Sequence, residues 1–175
     1  MDNYPYPVMR FASLDTEKLI GYRLGDPVST EAVLSLSREN FDIIHTHCPF
    51  SSMFVSRSLR GIISRPLVFT YHTKFDVEID RAVRSSQLRD LGRKAIVDNI
   101  SCADEVWVVS KGAGENLRGM GFEGEYFVMP NGVDIPLGQA DGKDVEQLNE
   151  DYHLSSEVPV YLFLGRLRWY KGIRI

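Results

Sequence analysis

Three of the four histidines in this chain fall in two short segments, His45-Thr46-His47 and His72-Thr73. Imidazole titrates near neutral pH, so these residues suit general acid–base work or hydrogen bonding to sugar hydroxyls. His45 and His47 stand two apart and point the same way if they lie on a strand. With His72 they also fit a metal-dependent hydrolase, in which zinc activates a bound water. No carboxylate in the same segments obviously completes that metal set.

A second chemical signal is Gly165-Arg166-Leu167-Arg168-Trp169-Tyr170-Lys171-Gly172. Arg166 could grip a diphosphate through a bidentate fork and Lys171 could meet it as a point charge. Gly165 would let the backbone approach the phosphates closely. Taken alone, the segment equally describes a solvated basic loop.

These residues need elements to position them. FDIIHTH at 41–47 is a short apolar run rich in β-branched residues. After Pro49, the spacing of Val55, Leu59, Ile62 and Ile63 predicts a helix over 51–64, with Ser51 or Ser52 as its cap. PLVFTYHT at 66–73 is the next predicted strand. One long helix is predicted over 77–102, with an apolar stripe of Leu88, Leu91, Ala95, Ile96 and Ile100. DEVWVVS at 104–110 is a third strand. A helix over 111–120 follows, stopped by Gly119 and Gly121. EYFVMPNGVD at 125–134 gives a fourth strand and an Asn131-Gly132 turn.

The strands show no alternating polar face, which predicts a Rossmann-like parallel α/β sheet with helices on both faces. In such sheets ligands bind beyond the carboxyl ends of the strands. His45 and His47, His72 and Thr73, Ser110, and Asn131 all end predicted strands. Residues 138–157 turn polar and acidic and read as a linker with one helical turn. VPVYLFLG at 158–165 then begins a fresh strand. The expected organisation is a partial acceptor-side domain at 1–137, a linker at 138–157 and the truncated start of a second domain at 158–175. Residues 1–30 hold no convincing strand. Early strands and a glycine-rich loop are expected to be missing from the sequence.

Composition narrows the partners. With 43% hydrophobic residues the chain can fold around a core, and disorder along its whole length is excluded. A net charge of −4 argues against a nucleic-acid partner. Cys48 and Cys102 fit no zinc or redox spacing, so a reducing cytoplasmic setting is expected. The start, MDNYPYPVMRF, lacks the pattern of a signal peptide. The longest apolar run, around 158–164, is much shorter than the roughly 20 residues that span a bilayer. Arg57, Arg60, Arg65, Arg81, Arg84, Arg89, Arg93 and Lys94 make residues 57–94 locally basic. That suits contact with an anionic membrane face, and equally suits solvated helices.

Five segments together, FDIIHTHCPFS, PLVFTYHTKF, ADEVWVVSKGAGENLRGMGF, MPNGVD and LFLGRLRWYKG, resemble the retaining glycosyltransferases of family 4, which have the GT-B architecture. The resemblance covers residues 41–172. H-x-H-x-P-F followed by T-Y-H-T looks most like members that glucosylate diacylglycerol or other lipid acceptors. The resemblance implies that His72 is the active-site histidine near the donor sugar. It implies that His45, His47, Pro49 and Phe50 form the acceptor-side loop, with Thr73 and Ser110 beside it. Asn131, Gly132 and Asp134 match the link toward the second domain. Gly165, Arg166 and Lys171 match the site for the donor diphosphate, where two fixed cations offset the leaving group's charge without a metal or other cofactor. The implied substrates are a nucleotide sugar, UDP-glucose above all, and a lipid or glycan acceptor. The family's paired-glutamate motif is absent from the sequence, so the chain is expected to be inactive alone. A module that binds a sugar or nucleotide without reaction is a further alternative.

Overall fold

The computed structural model describes residues 4–16, 23–72, 74–134, 138–155 and 157–165. The chain divides into two compact units, Met1–Gly132 and Val133–Ile175.

The first unit opens with a small antiparallel ribbon, β1 (Ser13–Leu14) against β2 (Leu24–Gly25), and a short helix, α1 (Thr30–Leu36). The Ser29 hydroxyl accepts from the Ala32 amide and caps α1. Four parallel strands follow: β3 (Ile44–Thr46), β4 (Leu67–Tyr71), β5 (Glu105–Val108) and β6 (Phe127–Val128), arranged in that order. Their connections carry α2 (Ser51–Ile63), then α3 (Phe75–Ala82) and α4 (Ser86–Ile100), then α5 (Lys111–Gly119). This is the parallel Rossmann-like α/β sheet expected from the sequence.

Register decides which residues share a face. His45 sits beside Val68 and Val68 beside Glu105, while Thr70 sits beside Trp107. Alternation then assigns Ile44, Thr46, Leu67, Phe69, Tyr71, Val106 and Val108 to the opposite face. Those apolar residues pack with Met53 and Leu59 of α2, Ile96, Val97 and Ile100 of α4, and Ala113 and Leu117 of α5. Each such side chain contributes roughly 1.5–3 kcal/mol when fully buried. This face therefore holds the core. Only β4 is buried along its whole length. β3 and β5 alternate, contrary to the uniformly apolar strands expected, because His45 and Glu105 stand exposed on the second face.

Three helix details differ from expectation. The segment predicted as one helix is two, broken where Val83 is extended. A continuous helix would separate residues 80 and 93 by about 20 Å. The break instead lets the Asp80 carboxylate receive both Arg89 and Arg93, and sets Ile79 against Gly92. Of the expected stripe only Ile96 and Ile100 reach the core, while Leu88 and Leu91 are exposed. At the start of α2, Phe50 occupies the cap position and Ser51 is already helical. The Ser51 hydroxyl donates to the Gly25 carbonyl, tying α2 to β2 rather than capping it.

The α5 stop is as read from the sequence. Gly121 takes φ +103°, the Phe122 amide donates to the Leu117 carbonyl, and the Gly121 amide donates to the Arg118 carbonyl. That pair of bonds is a Schellman turn, which needs a residue at ease with positive φ.

In the second unit, α6 (Gly142–Asp151) is a ten-residue helix where one turn was expected. The Asp141 carboxylate accepts from the Lys143 amide at its start. None of its residues is buried. Residues 158–164 form no strand, and their side chains are exposed. A strand needs a neighbour for its backbone groups, and no described residue of this unit supplies one.

Candidate active site

The carboxyl ends of β3 and β4 bring the three histidines together. His47 follows β3 and His72 follows β4, and His47 Nδ1 lies 2.9 Å from His72 Nε2. Their ring centroids are 5.1 Å apart. His45, two residues earlier, stacks obliquely on His47 at 4.2 Å, so both point the same way, as their spacing implied. His45 Nε2 lies 2.7 Å from Thr70 Oγ1. Its other flank meets the indole of Trp107 edge-on. The Trp107 N–H donates to the Glu105 carboxylate at 2.9 Å.

His45 and His47 are electrostatically biased toward the neutral form. Partial burial lowers the pKa of His45, and the positive charge of a protonated His72 lowers it further. Burial also lowers that of His47, followed by the charges of His45 and His72. Three rings this close cannot all be charged at little cost, since like charges disfavour the protonated form.

One polar chain holds the end of β4 in place. The Tyr71 hydroxyl donates to Asn116 Oδ1 at 2.7 Å, and Asn116 Nδ2 donates to Asp76 Oδ2 at 2.9 Å. Burial, and to a smaller degree the Asp76 charge, pushes the Tyr71 pKa up to about 12, so it stays a donor. Residues 71 and 76 bracket His72, and the chain thereby ties its segment to α3 and α5. Sequence reading missed Tyr71, Asn116, Asp76, Thr70 and Trp107. Strand parity offered a signal for two of them: Thr70 stands two residues before His72, and register brings Trp107 beside it.

The other expected site residues take part in packing and capping or stand exposed. The Pro49 side chain is fully buried, and its carbonyl accepts from Asn99 Nδ2. Phe50 packs edge-on against Phe75, with centroids 5.4 Å apart. Phe75 belongs to the core cluster and Phe50 packs against it, half-buried. The Ser110 hydroxyl accepts from the Ala113 amide and caps α5. Asn131 and Gly132 follow β6 and are exposed; Asp134 is exposed in the second unit. Gly165 takes φ +153°, which L side chains rarely adopt. Thr73, Arg166 and Lys171 lie outside the described residues.

The hydrolase alternative fares poorly on geometry. Among the described residues no three His, Cys, Asp or Glu side chains could hold a metal ion together. His45 Nε2 is engaged by Thr70, and His47 Nδ1 and His72 Nε2 by each other, so these three nitrogens do not converge on a shared centre.

A broad cavity lined by Arg57, Arg60, Arg65, Pro66, Cys102 and Asp104 opens at the amino ends of β4 and β5. That is the opposite end from the histidines, and ligands of open parallel sheets bind at the carboxyl ends. Much of the positive charge along 57–94 is paired internally. Arg60 meets Asp104 at 2.6 Å, Lys94 meets Asp98 at 3.1 Å, and Arg89 and Arg93 share Asp80. No helix among the described residues is long and apolar enough to cross a membrane.

The parallel sheet thus carries a polar, histidine-lined carboxyl edge, the end at which ligands of open parallel sheets bind. The family model for Glycosyltransferase Family 4 matches residues 10–136, and the chain belongs to that family. Family membership implies a sugar donor and an acceptor in general. A search of curated proteins returned no match to the chain.

Proposed function

We propose that this chain is the acceptor-side part of a retaining hexosyltransferase that takes glucose from UDP-glucose and passes it to a lipid hydroxyl. The observation that carries the reading is the row of His45, His47 and His72 at the strand ends, with His45 and His47 biased toward the neutral form. Neutral imidazoles accept and donate hydrogen bonds to hydroxyls without presenting a charge. His72 meets the donor sugar, and His45 and His47 line the approach of the acceptor. Arg166 and Lys171 hold the donor's diphosphate and offset the charge that develops on the leaving nucleotide. Two such cations make a metal ion unnecessary. Asn131, Gly132 and Asp134 link this half to the donor-binding part.

A lipid acceptor places the protein at a membrane face, on the cytoplasmic side. Arg57, Arg65, Lys74 and Arg84 are exposed cations of the 57–94 segment that no aspartate neutralises among the described residues, and they are contacts available to anionic headgroups.

The test follows the histidine ring signals by NMR in the 175-residue chain. Micellar diacylglycerol is added first, then UDP-glucose. The acceptor is expected to shift the signals of His45, His47 and His72 while leaving His153 unmoved. Rings unmoved by both additions would overturn the reading. Ring signals shifted by stoichiometric zinc alone would return the site to metal chemistry.

A further inference from the structure

The contact between His47 and His72 holds more information than proximity. Two neutral imidazoles joined through one nitrogen each need one donor and one acceptor. A single proton therefore lies between His47 Nδ1 and His72 Nε2, which are 2.9 Å apart. Whichever ring carries it, Nε2 of His72 is committed to His47. Nδ1 is the nitrogen left to a ligand, and it has no hydrogen-bond partner among the described residues.

The choice between the two arrangements follows from tautomer preference. An isolated neutral imidazole of histidine prefers its proton on Nε2. If His72 donates from Nε2 to His47 Nδ1, both rings keep that preferred form, since His47 then carries its own proton on Nε2. The reverse arrangement forces both rings into the less stable tautomer. We propose that His47 is a positioning residue that locks His72 in the Nε2–H tautomer, so that His72 presents an unprotonated Nδ1 as a hydrogen-bond acceptor for a hydroxyl group.

His47 is well suited to the accepting role. Its pKa is lowered by partial burial and by the charges of His45 and His72, which keeps Nδ1 free of a second proton near neutral pH. His45 supports the geometry from behind. Its ring stacks on His47 at 4.2 Å and is itself tied to Thr70 at 2.7 Å, so the His47 ring has a fixed wall on one side. The charged or titratable groups on the strands are His45 on β3, Tyr71 on β4 and Glu105 on β5; the Tyr71 hydroxyl is turned to Asn116 and the Glu105 carboxylate to the Trp107 N–H. No carboxylate among the described residues competes for the proton of His72.

The identity of the hydroxyl, on donor sugar or acceptor, rests on the proposed function. The tautomer does not, so the two ideas can fail separately. The experiment uses the whole chain with ¹⁵N-labelled histidine at pH 8, above the ordinary titration range of imidazole. Two-bond ¹H–¹⁵N spectra are expected to show His72 protonated on Nε2 only, with a through-hydrogen-bond coupling from that nitrogen to His47 Nδ1. His47→Phe should abolish the coupling and speed exchange of the His72 ring proton about tenfold, the factor that one net hydrogen bond provides. His47→Asp, which offers only acceptors, should restore slow exchange and the same tautomer. Backbone amide spectra of both variants report folding. A His72 ring protonated on Nδ1, a mixture of both forms, or exchange unaltered by His47→Phe in a folded variant would overturn the proposal.

Discussion

The rings of His45 and Trp107 meet edge-on, 5.1 Å between centroids, although they belong to strands on opposite sides of β4. They form a roof over the strand between them. Beneath it Val68 and Thr70 are only 4% and 5% exposed, despite lying on the face away from the main core. Trp107→Ala should therefore uncover both, and the loss of a half-buried aromatic ring predicts about 2 kcal/mol lower stability. Trp107→Phe keeps an edge for His45 and should lose less than half of that. Urea unfolding of the two variants checks the order, and an alanine variant as stable as the parent would contradict it.

The same cluster makes stability depend on pH near neutrality. His45 and His47 have folded-state pKa values below the ordinary 6.5. In the unfolded chain they take up protons as pH falls through 6.5, while the folded chain resists. The unfolded state then binds more protons, so stability falls on acidification from about pH 8 toward the lowered folded values and levels off below them. Urea midpoints at pH 8 and pH 5.5 should show that fall, in a window above the range where most carboxylates titrate. His45→Gln combined with His47→Gln should flatten it. An undiminished pH slope in the double variant would assign the effect elsewhere.

Much of this was legible in the sequence, for a physical reason. Strand and helix alternation around Ile44, Phe69, Val106 and Leu117 is a matter of hydrophobic burial, and periodicity reports burial directly. Gly121 announced the end of α5 because few residues accept its φ. Strand parity also told that His45 and His47 share a direction. What sequence could not tell was which polar groups find each other across elements. The meeting of Asp80 with Arg89 and Arg93 across the break at Val83 is a tertiary fact. Ser51 looks like a cap in sequence, yet the Gly25 carbonyl claims its hydroxyl. The pairing of His47 with His72 depends on the register of β3 against β4, which no composition or motif encodes.

The segment that carries His72 is held by the chain from Tyr71 through Asn116 to Asp76. Tyr71→Phe removes the donor and leaves Asn116 Oδ1 short of a partner inside a partly buried site. The predicted cost is about 1–2 kcal/mol. The displaced segment should also alter the ring signals of His72, which a purely local packing loss would not. Asn116→Ala should resemble it, and combining the two should cost less than the sum, because both cut one chain. Fully additive losses would show that the tyrosine and the asparagine act independently.

Between His45 and His47 stands a residue that points the other way. Thr46 is 4% exposed, and its hydroxyl is buried with no hydrogen-bond partner among the described residues. Its neighbours on that face are Phe69, at the paired position of β4, and the apolar core around it. A buried hydroxyl that lost its water and gained nothing costs roughly 1–3 kcal/mol. Valine has nearly the same shape and suits a strand at least as well. Thr46→Val should therefore raise stability by about 1 kcal/mol, read as a higher urea midpoint with an unchanged slope. Because the side chain faces the core, the ring signals of His45, His47 and His72 should stay where they are. Destabilisation by valine would mean that the hydroxyl has a partner in solution, and shifted histidine signals would mean that the two faces of β3 are coupled.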